Sequence, residues 1–194
     1  MKYIMIFGSI GVGKTTIGKI LENSIKEMSF VPEKLENNIY LERFYKNMKK
    51  YAFKSTIEML SLMANSYDDK NSKELLLIDN GLEELICYNR YMLKEGLLDN
   101  DEFNVYLKAY NAYLKLLPKT DLYIYCFTDI NTQLARIKER GRNFESSIDK
   151  DLLCKLNSEY EKFVQELPSD LVMYVDTTNT IDVSAIEERI KKIL

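Results

Sequence analysis

The chain has 194 residues, a length typical of one globular domain with a full hydrophobic core, and we expect residues 1–194 to form a single domain. Lys and Arg total 27 against 30 Asp and Glu, so the net charge of −3 predicts neither nucleic acid nor a membrane surface as a partner. Histidine is absent, which excludes serine-histidine triads, imidazole general bases and most zinc sites, and leaves carboxylates, lysine and arginine to carry any chemistry.

Short apolar runs alternate with longer stretches of helical periodicity along the chain. The apolar runs predict strands at 2–7, 29–32, 74–79, 121–127 and 171–175. Helical periodicity covers 14–28, 38–65, 82–117, 130–140, 149–166 and 182–194. This order predicts an α/β fold in which helices flank a parallel sheet and ligands bind beyond the carboxyl ends of the strands.

The segment between the first strand and the first helix has the strongest functional signal. Its residues, Gly8 to Thr15, match G-x-x-x-x-G-K-[ST]. In such a loop backbone N–H groups surround the phosphates of a nucleoside triphosphate, Lys14 reaches the β- and γ-phosphates, and the Thr15 hydroxyl binds Mg²⁺. The candidate phosphate-binding residues are Gly8, Ser9, Gly11, Val12, Gly13, Lys14, Thr15 and Thr16. The sequence has no N-K-x-D segment to recognise guanine, which favours a small phosphotransferase over a GTPase.

The stretch 82–117 is too long for one ordinary helix. Gly96, followed by an acidic segment from Asp99, predicts that one helix ends and a second begins there. The second helix places three tyrosines on one face, at Tyr106, Tyr110 and Tyr113. Such a stripe is typical of core packing, and a subunit interface is the alternative.

Three arginines surround the end of the helix predicted at 130–140. Arg136 and Arg140 are four residues apart and share one face, while Gly141 lets the chain turn so that Arg142 can point to the same place. Three converging guanidinium groups could clamp a transferring phosphoryl group as a lid over about 136–147. The alternative is a solvated basic helix end, favoured by the helix dipole. The phosphate-binding loop favours the clamp.

Four segments together resemble the deoxynucleoside kinase family, and the resemblance spans almost the whole chain. They are Gly8 to Thr15, Val31-Pro32-Glu33, Tyr40 to Tyr45, and Arg136 to Glu145. The resemblance implies a three-layer P-loop kinase fold with five parallel strands flanked by helices. It also implies a homodimer that uses ATP and Mg²⁺ to phosphorylate the 5′-hydroxyl of a nucleoside substrate.

The resemblance implies roles for single residues as well. Glu33 would receive the proton of the attacking hydroxyl, and Tyr45 and Glu145 would hold the sugar 3′-hydroxyl. Phe53 would line the base slot, although plain core packing is an equal alternative. Asp79, at a strand end, would hold Mg²⁺ with Thr15, or would be an ordinary turn acid. The implied catalytic residues are Lys14, Glu33, Arg136, Arg140 and Arg142.

The sequence departs from the family pattern on the acceptor side. Where the family has an acid, an arginine and a serine after a buried strand, this chain has Asp79-Asn80-Gly81. A gapless alignment from Tyr45 places Thr56, Met63 and Leu85 at the family's base-binding amide, arginine and aspartate. The loss of the arginine could lower the rate or accompany a different acceptor.

Two functions follow from this pattern. One is a nucleoside kinase whose base pocket has been rebuilt, with Thr56 among the substrate-binding residues. The other is a nucleotide-binding regulatory or partner subunit with weak or no kinase activity. Retention of Glu33 and of the lid arginines favours the enzyme.

Cysteine usage and the chain start bear on compartment. Cys87, Cys126 and Cys154 are far apart and odd in number, so they predict no disulfide framework. The apolar run 2–7 is too short for a signal-peptide core or a membrane span. We therefore expect a cytoplasmic protein.

Overall fold

A computed structural model describes residues 1–68, 73–179 and 181–194. Within these residues five strands form one sheet, in the spatial order β2-β3-β1-β4-β5, and all of its neighbouring strands are parallel. The strands are β1 Lys2–Phe7, β2 Met28–Val31, β3 Leu75–Asp79, β4 Leu122–Phe127 and β5 Val172–Asp176. The five predicted strands are confirmed, with small differences at their ends.

Eight α-helices connect and cover the strands in the described residues. They are α1 Lys14–Ser24, α2 Leu41–Lys46, α3 Met48–Asn65, α4 Leu85–Lys94, α5 Asn100–Leu114, α6 Ile130–Arg140, α7 Lys150–Glu166 and α8 Ser184–Lys191. The predicted helix at 14–28 was too long, because Met28 already belongs to β2. The predicted stretch at 38–65 divides at Asn47, whose backbone is not helical and whose side chain accepts a hydrogen bond from the Lys50 N–H as the cap of α3.

The predicted break within 82–117 is confirmed. Gly96 has a φ of 66°, a left-handed conformation that suits glycine and ends the preceding segment. Asp99 then accepts a hydrogen bond from the Glu102 N–H, and the Glu102 carboxylate accepts one from the Asp99 N–H. This reciprocal capping box starts α5.

The sheet is the middle layer of three. Successive side chains of β1 point to opposite faces, so Met5 and Phe7 join one core cluster while Ile4 and Ile6 join another. The first cluster includes residues of α3, α4, α5 and α7, and the second includes residues of α1 and α8. Because both faces are covered, β3 is buried along its whole length. The predicted three-layer α/β fold is confirmed.

The tyrosine stripe of α5 belongs mainly to the core. Tyr106 and Tyr110 are buried, and the Tyr110 hydroxyl donates a 2.7 Å hydrogen bond to the Glu83 carbonyl. Tyr113 lies at the margin and is 36% exposed. Core packing therefore accounts for the first two tyrosines.

None of the helices in residues 1–68, 73–179 and 181–194 is long and apolar enough to cross a membrane.

Candidate active site

A cavity of about 630 Å³ opens at the carboxyl ends of the strands. The loop between β1 and α1 forms one end of it, and side chains from α2, α3 and α4 form the other. The end of α6 and the segment that follows supply further lining residues. This position is the one expected for ligands in a parallel α/β sheet.

Glycine is required in the loop between β1 and α1. Gly8, Gly11 and Gly13 have φ values of 142°, 79° and 88°, in the region that favours glycine. A Cβ at Gly8 would also collide with the Cys126 carbonyl oxygen of β4. The loop therefore wraps tightly beneath the cavity and leads directly into the N-terminus of α1, where backbone N–H groups favour an anion.

Lys14 is the first residue of α1 and lies under this loop. Its Nζ donates hydrogen bonds of 2.7 Å and 3.0 Å to the carbonyl oxygens of Gly8 and Ser9. The side chain is buried and lines the cavity. An ammonium group has three N–H donors, so one remains for a ligand at this end.

Thr15, which is exposed, and Asp79, which is buried, form a polar pair beside Lys14. The Thr15 Oγ1 donates a 2.6 Å hydrogen bond to Asp79 Oδ2, although the residues are 64 positions apart in the sequence. Asp79 Oδ1 is buried and has no hydrogen-bond partner within the described residues. Burial raises the pKa of Asp79, while Lys14 and the Thr15 hydrogen bond act in the opposite direction. The pair thus presents oxygen atoms with unused bonding capacity.

Glu33 follows β2 and is held by Asn80, which follows β3. The Asn80 Nδ2 donates a 3.1 Å hydrogen bond to Glu33 Oε2. Asn80 has a φ of 53°, a left-handed conformation that asparagine tolerates better than most residues. Burial, and then the Asp79 charge, raise the pKa of Glu33 to about 8, while Lys14 and the Asn80 hydrogen bond lower it.

All three arginines predicted to form a lid line the cavity. Helix α6 ends at Gly141, whose φ of 66° turns the chain as predicted. Arg140 binds the buried Glu145 carboxylate through Nη2 at 2.7 Å and through Nε at 3.1 Å, and Arg142 Nη1 lies 3.4 Å from the same group. The Glu145 carboxylate thus holds two guanidinium groups together.

Arg136 is held by a different residue. Its Nη1 donates to Thr177 Oγ1 at 3.1 Å and its Nη2 donates to the Thr177 carbonyl oxygen at 2.6 Å. Thr177 follows β5 and is fully buried, and its hydroxyl donates a 2.8 Å hydrogen bond to the Val12 carbonyl oxygen. Thr177 therefore connects Arg136 directly to the phosphate-binding loop.

The family comparison agrees with this geometry. Residues 4–194 match the family model described as deoxynucleoside kinase. The chain belongs to the deoxynucleoside kinase family. Among curated relatives, it is 30% identical over 178 residues to a deoxyguanosine kinase of Bacillus subtilis strain 168, covering 90% of this chain and 86% of the relative. It is 27% identical over 195 residues to a deoxyadenosine kinase of Dictyostelium discoideum, covering 97% and 78%.

Solved structures give the same result. A deoxyadenosine kinase from M. mycoides, solved with bound dCTP, superposes with a TM-score of 0.84 at 29% identity, covering 98% of each chain. A structure of deoxyadenosine kinase from M. mycoides with bound dATP gives a TM-score of 0.82 at 30% identity, again covering 98% of each chain. Family membership and the P-loop kinase fold expected from the sequence are therefore confirmed.

In this deoxynucleoside kinase the far end of the cavity is mainly apolar. Tyr45 lines it and packs its ring against Phe144 with 5.5 Å between the centroids. Burial raises the pKa of Tyr45 to about 12, so the phenol is neutral at physiological pH and its O–H can donate. Glu145 lines the same cavity. The two residues predicted to hold a sugar hydroxyl thus face a common space.

Phe53 is not placed as predicted for a base-slot residue. Ser55, Thr56 and Met59 of α3 line the cavity. Phe53 is half-buried and packs against the core cluster that includes residues of α3, α4, α5 and α7. At about 100° per residue, Phe53 is about 60° from Thr56 but about 120° or more from Ser55 and Met59, so it lies beside the lining face of α3 rather than on it. The structure places Phe53 against the core cluster, as the core-packing alternative expects.

Two residues with predicted binding roles, Ser9 and Val12, are not among the described residues that line this cavity. They line a separate, smaller cavity of about 250 Å³. Gly8, Gly11, Gly13, Lys14, Thr15 and Thr16 all line the main cavity. Among the described residues Met63 lies in the core cluster and is not among those lining the cavity, while Leu85 lines it.

Sequence analysis missed two polar residues, Glu84 just before α4 and Asn89 within it. Glu84 is 3% exposed, lines the cavity, and accepts a hydrogen bond from the Tyr160 hydroxyl. Burial raises the pKa of Glu84 to about 7. Asn89, which is also buried, accepts a 2.9 Å hydrogen bond from Thr56. Both residues are within four positions of Leu85, so examining the neighbours of that apolar replacement would have found them.

Proposed function

We propose that this deoxynucleoside kinase transfers the γ-phosphate of ATP to the 5′-hydroxyl of a nucleoside or deoxynucleoside. The observation that carries the proposal is that Lys14, after β1, and Glu33, after β2, line one cavity, although β3 lies between these strands in the sheet. Lys14 marks the place of the donor phosphates, and Glu33 lies toward the acceptor. The kinase names of the relatives favour this enzyme over a regulatory or partner subunit.

The donor end supplies charge and direction. Backbone N–H groups between Gly8 and Thr16 surround the phosphates, and Lys14 binds the β- and γ-phosphates. Arg136, Arg140 and Arg142 stabilise the charge that develops on the transferring group. Arg140 and Arg142 share the Glu145 carboxylate, so the group that orients these two arginines can also face the sugar.

We propose Mg²⁺ as the metal of this site. Thr15 and Asp79 fit it, because both offer hard oxygen ligands and Asp79 Oδ1 is buried without a hydrogen-bond partner in the described chain. When bound with ATP, Mg²⁺ would neutralise phosphate charge. Few protein ligands are needed, since this ion keeps several waters and binds phosphate oxygens.

Glu33 is the group that accepts the 5′-hydroxyl proton. Asn80 holds one oxygen of its carboxylate, which leaves the other oxygen to face the hydroxyl. A pKa near the working pH suits a general base, because the group can both ionise and take a proton. Tyr45 and Glu145 bind the sugar, and Thr56 lies farther along, where the base would sit.

We further propose a homodimer that works in the cytoplasm. Val105, Tyr113 and Leu116 are exposed apolar side chains on or just after α5, and they offer a surface for a second copy. Cys87, Cys126 and Cys154 are free thiols, which fits a reducing compartment.

A substrate screen with two variants tests the proposal. The protein is incubated with ATP, Mg²⁺ and each of the four deoxynucleosides or common ribonucleosides, and we expect 5′-monophosphate to form from at least one. Lys14→Ala should abolish transfer, because it removes the point charge on the β- and γ-phosphates. Nucleotide binding without any phosphorylation would instead indicate a regulatory subunit.

The Glu33→Gln variant tests the acceptor side. We expect it to lower kcat by about 10²-fold or more while ATP binding is retained, as for loss of a general base. Glu36→Gln, in the same connection but on an exposed residue, is the matched control and should leave kcat unchanged. An intact kcat with a raised nucleoside KM would show that Glu33 only binds.

A further inference from the structure

The acceptor end of the cavity has a buried chain of hydrogen bonds among apolar side chains. Leu41, Phe44, Met59 and Met92 supply the apolar lining. Thr56 of α3 and Asn89 of α4 are 5% and 3% exposed, and both line the cavity. The Thr56 hydroxyl and the Asn89 amide lie 2.9 Å apart. A ligand that enters this end must satisfy these groups or leave them unpaired.

The donor-to-acceptor direction of these hydrogen bonds is determined by a backbone carbonyl. Asn89 Nδ2 donates a 2.8 Å hydrogen bond to the Leu85 carbonyl oxygen, one turn earlier in α4. A carbonyl oxygen can only accept, so the amide nitrogen must face it. Asn89 Oδ1 must then face Thr56, and the Thr56 hydroxyl must donate to it. The single proton of the Thr56 hydroxyl is thereby used within the protein.

What remains on Thr56 is acceptor capacity. A threonine hydroxyl has one donor and two lone pairs, and the donor is committed to Asn89. The neighbouring Ser55 hydroxyl accepts a 3.1 Å hydrogen bond from Asn38 Nδ2, so its oxygen is oriented by Asn38, whereas the Thr56 oxygen is oriented by Asn89. A base that places a carbonyl oxygen against Thr56 would set two acceptors face to face, and neither could then form a hydrogen bond with the other.

We propose that the Thr56–Asn89 pair recognises an exocyclic amino group on the nucleobase. Adenine and cytosine carry such a group and donate from it to Thr56 Oγ1, whereas hypoxanthine and uracil present a carbonyl oxygen at the same ring position. Asn89 acts as a specificity-determining residue, because it sets the direction in which Thr56 is polarised. This inference rests on the proposed function, since it concerns the acceptor of the same reaction.

Matched nucleosides test the inference without changing ligand shape. Deoxyadenosine and deoxyinosine differ by an amino-to-carbonyl exchange, and so do deoxycytidine and deoxyuridine. We expect the amino member of the preferred pair to have a kcat/KM at least about tenfold higher, as for a buried polar group left unpaired by the other member. A ratio near one, or one that favours the carbonyl member, overturns the proposal.

Variants of the pair separate recognition from packing. Thr56→Val keeps the shape but removes the acceptor, so the ratio should fall to within about threefold, whereas Thr56→Ser keeps the hydroxyl and should retain the ratio. Asn89→Leu releases the Thr56 proton, so phosphorylation of the carbonyl member should rise relative to the amino member. An unchanged ratio in Thr56→Val contradicts the proposal, and the wild-type ratio stands as a test if a variant does not fold.

The proposed function and this inference can fail separately. If no nucleoside of any kind is phosphorylated, the proposed kinase activity fails, and calorimetric binding of the same four nucleosides still tests the recognition. Tighter binding of the amino members then supports it. Equal affinity within each pair, or no binding of any of them, overturns it.

Discussion

At the scale of single residues, Asn80 is the most informative departure from the family pattern. It occupies the place of an arginine, yet its amide still contacts the carboxylate of Glu33. An amide holds a carboxylate without adding charge, so Asn80 lowers the pKa of Glu33 less than a neighbouring cation would. The loss of the arginine therefore leaves the proposed general base, Glu33, held by a hydrogen bond and with its pKa raised to about 8.

Replacement of Asn80 by glycine tests this positioning role. Glycine adopts the φ of 53° without strain, so Asn80→Gly removes the amide while leaving the turn intact. Because the Asn80 hydrogen bond favours the charged form of Glu33, its loss should raise the pKa of Glu33. We expect the acid limb of kcat/KM to move to higher pH and kcat to fall.

The pH profile of kcat/KM is measured for the wild type and for Asn80→Gly. Gly81→Ala is not a suitable control, because a Cβ at Gly81 would collide with Met5. Asn37→Gly, on an exposed residue of the connection after β2, is the better control and should leave the profile unchanged. A profile of Asn80→Gly that coincides with the wild type would assign Asn80 a purely structural role.

At the scale of elements, the end of α6 determines where the proposed lid begins. Gly141 ends the helix in a left-handed conformation, after which Arg142 and Glu145 turn back toward the cavity. A Cβ at Gly141 has room, with the Glu139 carbonyl oxygen 3.8 Å away, so the cost of a substitution comes from the backbone. The conformation, rather than packing, thus fixes the direction of the lid.

A pair of glycine substitutions separates this role from stability. Gly141 and Gly96 both have a φ of 66°, and a Cβ at Gly96 would meet nothing within 4 Å among the described residues. Each change to alanine should lower the free energy of unfolding by about 1 kcal/mol, which denaturant unfolding would measure. Only Gly141→Ala should lower kcat, because it also shifts Arg142. Equal kcat values in the two variants would argue against a lid.

At the scale of the whole molecule, burying carboxyl groups at the cavity couples stability to pH. Burial raises the pKa of Glu84 from its ordinary value of 4.5 to about 7. Below pH 4.5 the group is protonated in both the folded and the unfolded chain. As the pH rises from about 4.5 to about 7, Glu84 ionises in the unfolded chain but stays protonated in the folded chain. Ionisation therefore stabilises only the unfolded chain, and the free energy of unfolding falls.

The variant Glu84→Gln should remove this dependence. It keeps an acceptor for the Tyr160 hydroxyl, and it should raise the free energy of unfolding at pH 8 by up to roughly 3 kcal/mol relative to wild type, with little change at pH 4. Urea unfolding at both pH values measures the difference. Glu187→Gln, in α8, serves as the control for a helix carboxylate, and an equal gain at both pH values would exclude the titration of Glu84 as the cause.

The fold and the donor site follow largely from local sequence. The strands of the sheet are short apolar runs because both faces of the sheet are covered. The loop from Gly8 to Thr15 depends on glycines that adopt positive φ values. The turn at Gly141 is likewise determined locally, by a glycine that directly follows the last residue of α6. Local backbone preference and hydrophobic pattern act within a few residues, so they can be recognised in one sequence.

The acceptor site could not be predicted in the same way. The Thr56–Asn89 hydrogen bond joins residues 33 positions apart, and the Glu84–Tyr160 hydrogen bond joins residues 76 positions apart. Which face of α3 meets α4 decides that Thr56 lines the cavity and Phe53 does not. The packing of helices on one face of the sheet sets these contacts, and it depends on the whole core rather than on any segment. By itself the sequence determined the family, the sheet and the phosphate loop, whereas only the tertiary structure decided which polar groups line the cavity beyond them.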